Sequence, residues 1–169
     1  VVKIMPGNGS GKSMLDDMKK RAQEELDKQK QKLEDEARKE LEKRKAEAKA
    51  QSDKILADAD KQAAQIINEA QKQADAINRA AQEAADKLKA ETQKQSENMI
   101  ADAKKKGPIA EAAAKKAAEQ LKKETDKKAE KLIAEAKNNS DKLVSEAQRQ
   151  SEKIRSDARN QVDKLMDIK

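Results

Sequence analysis

Residues 97–118 read ENMIADAKKKG followed by PIAEAAAKKAA, two eleven-residue segments that meet at Gly107-Pro108. Beyond Ser13 this is the one place where glycine or proline occurs. A long helix either bends here or ends and turns back. Lys104, Lys105 and Lys106 put positive charge where a helix C-terminus favours it. Gly107 suits the left-handed residue that follows a helix end, and Pro108 suits the first position of a new helix. The local chemistry therefore predicts two helices joined by a tight turn.

The segments on either side carry the same period. From Asp53 the chain divides into elevens: DKILADADKQA, AQIINEAQKQA, DAINRAAQEAA, and so on through DKLVSEAQRQS and EKIRSDARNQV, with no loss of phase across the break. The third place is large and apolar, as at Ile55, Ile66, Ile77, Leu88, Met99, Leu121, Leu132, Leu143, Ile154 and Leu165, with Ala110 the exception. The seventh place is small, as at Ala59, Ala70, Ala81, Thr92, Ala114, Thr125, Ala136, Ala147 and Ala158. The eleventh is small as well. Steps of about four, four and three residues keep these places on one helical stripe. A repeat of eleven over three turns winds almost straight or gently right-handed. The phase runs back through Leu41, Ala37, Leu33, Leu26 and Ala22, diluted there by charge.

These features predict an all-α chain of long helices forming an antiparallel coiled-coil hairpin, with one long kinked rod as the alternative. The expected organisation is a Gly/Ser leader or linker at 1–13, a charged exposed helix at 14–47, a first arm at 48–106, the turn at Gly107 and Pro108, and a second arm at 109–169. Helix is expected to begin near Ser13, where Ser13 and Asp16 have capping-box spacing. A fold-back register that sets large against small puts Leu132 opposite Ala81, Leu143 opposite Ala70 and Ile154 opposite Ala59. It also puts Ile77 opposite Ala136, Ile66 opposite Ala147 and Ile55 opposite Ala158. These residues, with Leu88, Leu121 and Leu165, are the expected helix-packing set.

Composition narrows the function. The chain has 169 residues, 43% of them charged, and no aromatic residue, cysteine or histidine. It lacks the bulky side chains that a large globular core needs to offset chain entropy. The net charge of +6 comes from 39 basic residues interspersed with 33 acidic ones. Such mixing marks a solvated helix face, and without aromatic stacking platforms no specific nucleic-acid binding is expected.

The stretch PGNGSGKS at residues 6–13 is close to a phosphate-binding loop. That loop requires glycine at the position Pro6 occupies, and it requires a preceding strand in a βαβ sheet. Proline has no N–H to offer a phosphate. The stretch reads instead as linker and helix cap, so no nucleotide is expected. Carboxylate neighbours such as Asp58 and Asp60 read as solvated surface. No catalytic, cofactor-binding or metal-binding residue is assigned, and no enzymatic activity is expected.

Stretches such as AQIINEAQKQADAINRA resemble the peripheral-stalk subunits of rotary ATP synthases, which carry eleven-residue repeats. The block KKKGPIAEAAAKKAAEQLKKETDKKAEKLIAEAK is similar to the long helical tails of AsmA-like bacterial envelope proteins, in which a break before proline precedes an alanine-rich restart. Repeats of this composition also resemble late-embryogenesis-abundant stress proteins. The envelope resemblance implies the periplasmic side of a bacterium, with a cytoplasmic location as the alternative, and a leader that joins a missing upstream domain. A structural spacer or docking coiled coil of a larger envelope assembly is the expected function, with a stress-protectant or membrane-surface helix and a stalk subunit of a rotary ATPase as the alternatives. Its partners are expected to be proteins, through self-association or another helical chain. Membrane contact is expected only through the missing domain or a partner.

Overall fold

The computed structural model describes residues 7–167, so the expectations for residues 1–6, 168 and 169 lie outside it. The chain forms two helices, α1 (Gly7–Lys104, 98 residues) and α2 (Pro108–Met166, 59 residues), and no strand occurs among the described residues. The start of α1 corrects the expected leader. Gly7 to Lys12 are helical, and Ser13 lies inside α1 instead of capping it. Adding residues to a formed helix avoids the nucleation cost, so a long downstream helix can carry glycines that would not start one.

Helix α1 ends as its last turn tightens, with Lys106 N–H donating to the carbonyl of Ala103 at 3.0 Å. Gly107 has a φ of 125°, and it is the one described residue with positive φ. Its carbonyl accepts from Glu111 N–H at 3.1 Å, the first hydrogen bond of α2. Gly107 is thus the N-cap of α2 and Pro108 its first helical residue, where the missing proline N–H costs nothing. Glu111 follows in the first turn, where its charge suits the helix N-terminus.

The chain divides into two units. One is Ile55–Gln161, which holds the turn and the facing lengths of α1 and α2. Its cross-helix contacts run antiparallel. Thr92 meets Thr125, Asn78 meets Ser140 and Asp60 meets Arg155, so α2 numbers rise as α1 numbers fall. The unit is an antiparallel hairpin, and the kinked-rod alternative does not hold.

The register differs from the expected one by about a turn. The large-against-small pairing places Leu121 opposite Thr92, whereas the structure places Thr125 there, with 2.8 Å between the two Oγ1 atoms. Seventh places thus face seventh places. Stepping by eleven sets Ala59 against Ala158, and both line one groove where the helices meet. Small residues facing each other let the axes approach toward the short end of the roughly 8–10 Å range of helix pairs. The large third-place residues then lie beside the contact line instead of within it.

The other unit comprises the described residues of Val1–Lys54 with those of Val162–Lys169. Along α1, every residue from Lys12 to Glu47 is exposed. The first buried residue is Ala48, followed by Ser52, while Val162 and Leu165 of α2 are half-buried.

Candidate functional site

The feature with most chemical character is the seam of the hairpin. Its buried residues are Ala, Ser and Thr only, each at a seventh or eleventh place. Ala63, Ala85 and Ala129 are wholly inaccessible to solvent. No large apolar side chain of the described residues is fully buried. An alanine-rich core buries little area per residue, so its stability rests on close backbone approach repeated along the length.

The expected packing residues divide largely by place, with Ala81 and Leu132 the exceptions. Ala59, Ala70, Ala136, Ala147 and Ala158 are buried. Ile55, Ile66, Ile77, Ala81, Leu88, Leu121, Leu143, Ile154 and Leu165 are half-buried. Leu132 is exposed, while Ile133 beside it takes the half-buried position. Sequence reading did not single out the eleventh-place residues for packing, although they are the most buried of all. The signal for them was their uniform small size.

Hydroxyls punctuate the seam. Thr92 and Thr125 share one hydrogen bond, and either can donate. Ser140 Oγ lies 2.9 Å from the Lys137 carbonyl and 3.0 Å from Asn78 Oδ1. Its single proton serves one acceptor at a time, and turning the Asn78 amide would let Asn78 donate while Ser140 donates to Lys137. The Oγ atoms of Ser52 and Ser96 are buried with no hydrogen-bond partner.

Charge stays on the outside. Arg155 Nε reaches Asp60 Oδ1 at 3.2 Å across the hairpin, but both side chains are exposed to solvent, Asp60 the more so, and the pair adds little. Along α1 a polar rung repeats every eleven residues. Gln71, Gln82 and Gln93 each donate to the acid four residues on, Asp75, Asp86 and Glu97, at 3.0–3.2 Å. Such rungs support a helix locally by about 0.2–0.5 kcal/mol each. In the charged stretch Arg44 pairs with Glu40 at 3.9 Å and Arg38 with Asp35 at 4.0 Å.

One surface depression is an open groove lined by Gln65, Asn68, Glu69, Lys72 and Gln73 along α1. Among the described residues no three His, Cys, Asp or Glu side chains converge as a metal site would require. Gly11, Lys12 and Ser13 lie past the first turn of α1, where backbone N–H groups are engaged with carbonyls four residues back. A phosphate cradle needs those groups free. No described helix is long and apolar enough to cross a membrane. No protein-family model matches the chain, and no curated protein or solved structure matches it.

Proposed function

We propose that the chain is a non-enzymatic structural coiled coil, a spacer or docking element of a larger assembly. The observation that carries this reading is the division of labour along the stripe. The hairpin closes on Ala, Ser and Thr alone, which leaves the Ile, Leu and Met side chains half-exposed beside the seam. A protein that consumed its large apolar residues in its own core would have none to offer a neighbouring helix. Here they stand in rows at helical spacing, flanked by mixed charge, as in surfaces that recognise other helices.

A place in the bacterial envelope, on its periplasmic side, is part of the proposal. It rests on the resemblance of the block around Gly107-Pro108 to AsmA-like tails. Circular dichroism of the chain in dilute buffer tests the structural reading. A spacer is highly helical and melts cooperatively. A spectrum of unfolded coil would favour a stress protectant of the late-embryogenesis-abundant type.

A further inference from the structure

The stretch of α1 that has no partner within the chain carries a charge pattern with its own symmetry. Residues 14–41 are all exposed, including Met14, Met18, Leu26 and Leu33 at 53–66% of their surface. Leu26 and Leu33, with Leu15 and Leu41, continue the phase of the stripe that becomes buried at Ala48 and Ser52 in the same unit, while Met14 and Met18 lie off it. The unpaired face is therefore an extension of an interface that α1 already uses.

The charges around it fall in blocks of alternating sign. Acidic Asp16 and Asp17 precede basic Lys19, Lys20 and Arg21. Acidic Glu24, Glu25 and Asp27 precede basic Lys28, Lys30 and Lys32. Acidic Glu34, Asp35 and Glu36 precede basic Arg38 and Lys39. Reflection about the point between Asp27 and Lys28 exchanges every block with one of opposite sign. Asp16 and Asp17 map onto Lys39 and Arg38. Lys19, Lys20 and Arg21 map onto Glu36, Asp35 and Glu34. Glu25 maps onto Lys30, and Asp27 onto Lys28. The same reflection sets Leu33 opposite Ala22, Met18 opposite Ala37 and Met14 opposite Leu41, while Leu26 faces Gln29 and Leu15 faces Glu40.

We propose that residues 14–41 form a docking surface for the same residues of a second copy of this chain, running antiparallel about a two-fold axis between Asp27 and Lys28. An isologous contact requires a surface complementary to itself under a two-fold rotation. An antiparallel helix pair meets that requirement when its sequence is antisymmetric in charge, as this one is. Each block shares one sign throughout, so the match does not depend on which of its residues flank the stripe. A parallel pair in register would set like blocks against like. The paired length is about 42 Å of helix. The proposal rests on the structural reading above and names its partner.

The test uses the whole chain in sedimentation equilibrium, with circular dichroism on the same samples. Three variants are compared with the original: Lys19→Glu/Lys20→Glu/Arg21→Glu, Glu34→Lys/Asp35→Lys/Glu36→Lys, and the combination of all six. The original chain is expected to dimerise. Each single-block variant is expected to weaken the dimer about tenfold or more by placing like charges opposite each other twice. The six-fold variant is expected to restore the dimer, because the blocks again oppose. Helicity should be unchanged throughout. A chain that is helical but monomeric at roughly 100 μM overturns the pairing and leaves the spacer reading standing. A dimer indifferent to both block reversals, or one not restored by the combination, also overturns it. A chain that is coil in buffer overturns both readings.

Discussion

Thr92 and Thr125 occupy the one layer of the seam at which both facing seventh places carry a hydroxyl. Their 2.8 Å hydrogen bond lets two polar groups be buried together at little net cost. Removing one partner strands the other. Thr92→Val should destabilise the hairpin by about 1–2 kcal/mol, and Thr125→Val by a similar amount. The double variant should recover most of that loss, since both hydroxyls are then replaced by methyl groups of the same shape. Thermal melts of the four proteins give the cycle, and additive losses would mean that the two residues do not meet. Gly107 is constrained differently. A Cβ there would meet no atom within 4 Å, so its conformation, φ 125°, is the whole constraint. Gly107→Ala should cost about 1–3 kcal/mol from backbone strain. A D-alanine installed by ligation should be tolerated, because its mirror-image preference fits positive φ and the space is open. Equal losses from both would locate the problem in sterics rather than in the backbone.

At the scale of the helix, the seam reverses the usual sensitivity to substitution. In most cores, truncating a leucine is the costly change. Here Leu132 is 39% exposed and Ala85 is 0% exposed. Leu132→Ala should change stability by no more than about 0.5 kcal/mol. Ala85→Leu should cost about 1–3 kcal/mol, since the helices must separate to admit it. Denaturant unfolding of the two variants reads this directly, and a larger loss at Leu132 would contradict a small-residue seam. The repeat made the two-helix character and the stripe legible from sequence, because Ile55, Ile66 and Ile77 recur at a helical period. The register was not legible from that repeat. Setting Ile77 or Ala81 opposite Ala136 satisfies the same period, and the two differ by one turn. The clue lay in the exceptions. Thr92 and Thr125 interrupt a run of alanines at seventh places, and buried hydroxyls seek each other. The helical start at Gly7 is not legible locally, because Gly7, Gly9 and Gly11 carry turn chemistry that only the long helix after them overrides.

For the molecule as a whole, the absence of aromatic residues and the alanine seam have one consequence. Stability is spread thinly along the hairpin, without a central cluster, and depends on correct register over its whole length. A slip by one repeat would move the Thr92 hydroxyl from Thr125 to an alanine at place 114 or 136. A slip by one turn would set Thr92 against Leu121 and bring large residues into a gap sized for small ones. The chain holds no cysteine, so engineered pairs report register without interference. The most direct measurement compares two double variants, Thr92→Cys/Thr125→Cys and Thr92→Cys/Leu121→Cys, oxidised at high dilution and scored for intramolecular disulfide. An antiparallel hairpin with small facing small predicts rapid, nearly complete bridging of the first pair and slow, partial bridging of the second. Preferential bridging of Thr92→Cys with Leu121→Cys, or only intermolecular disulfides in both, would contradict it.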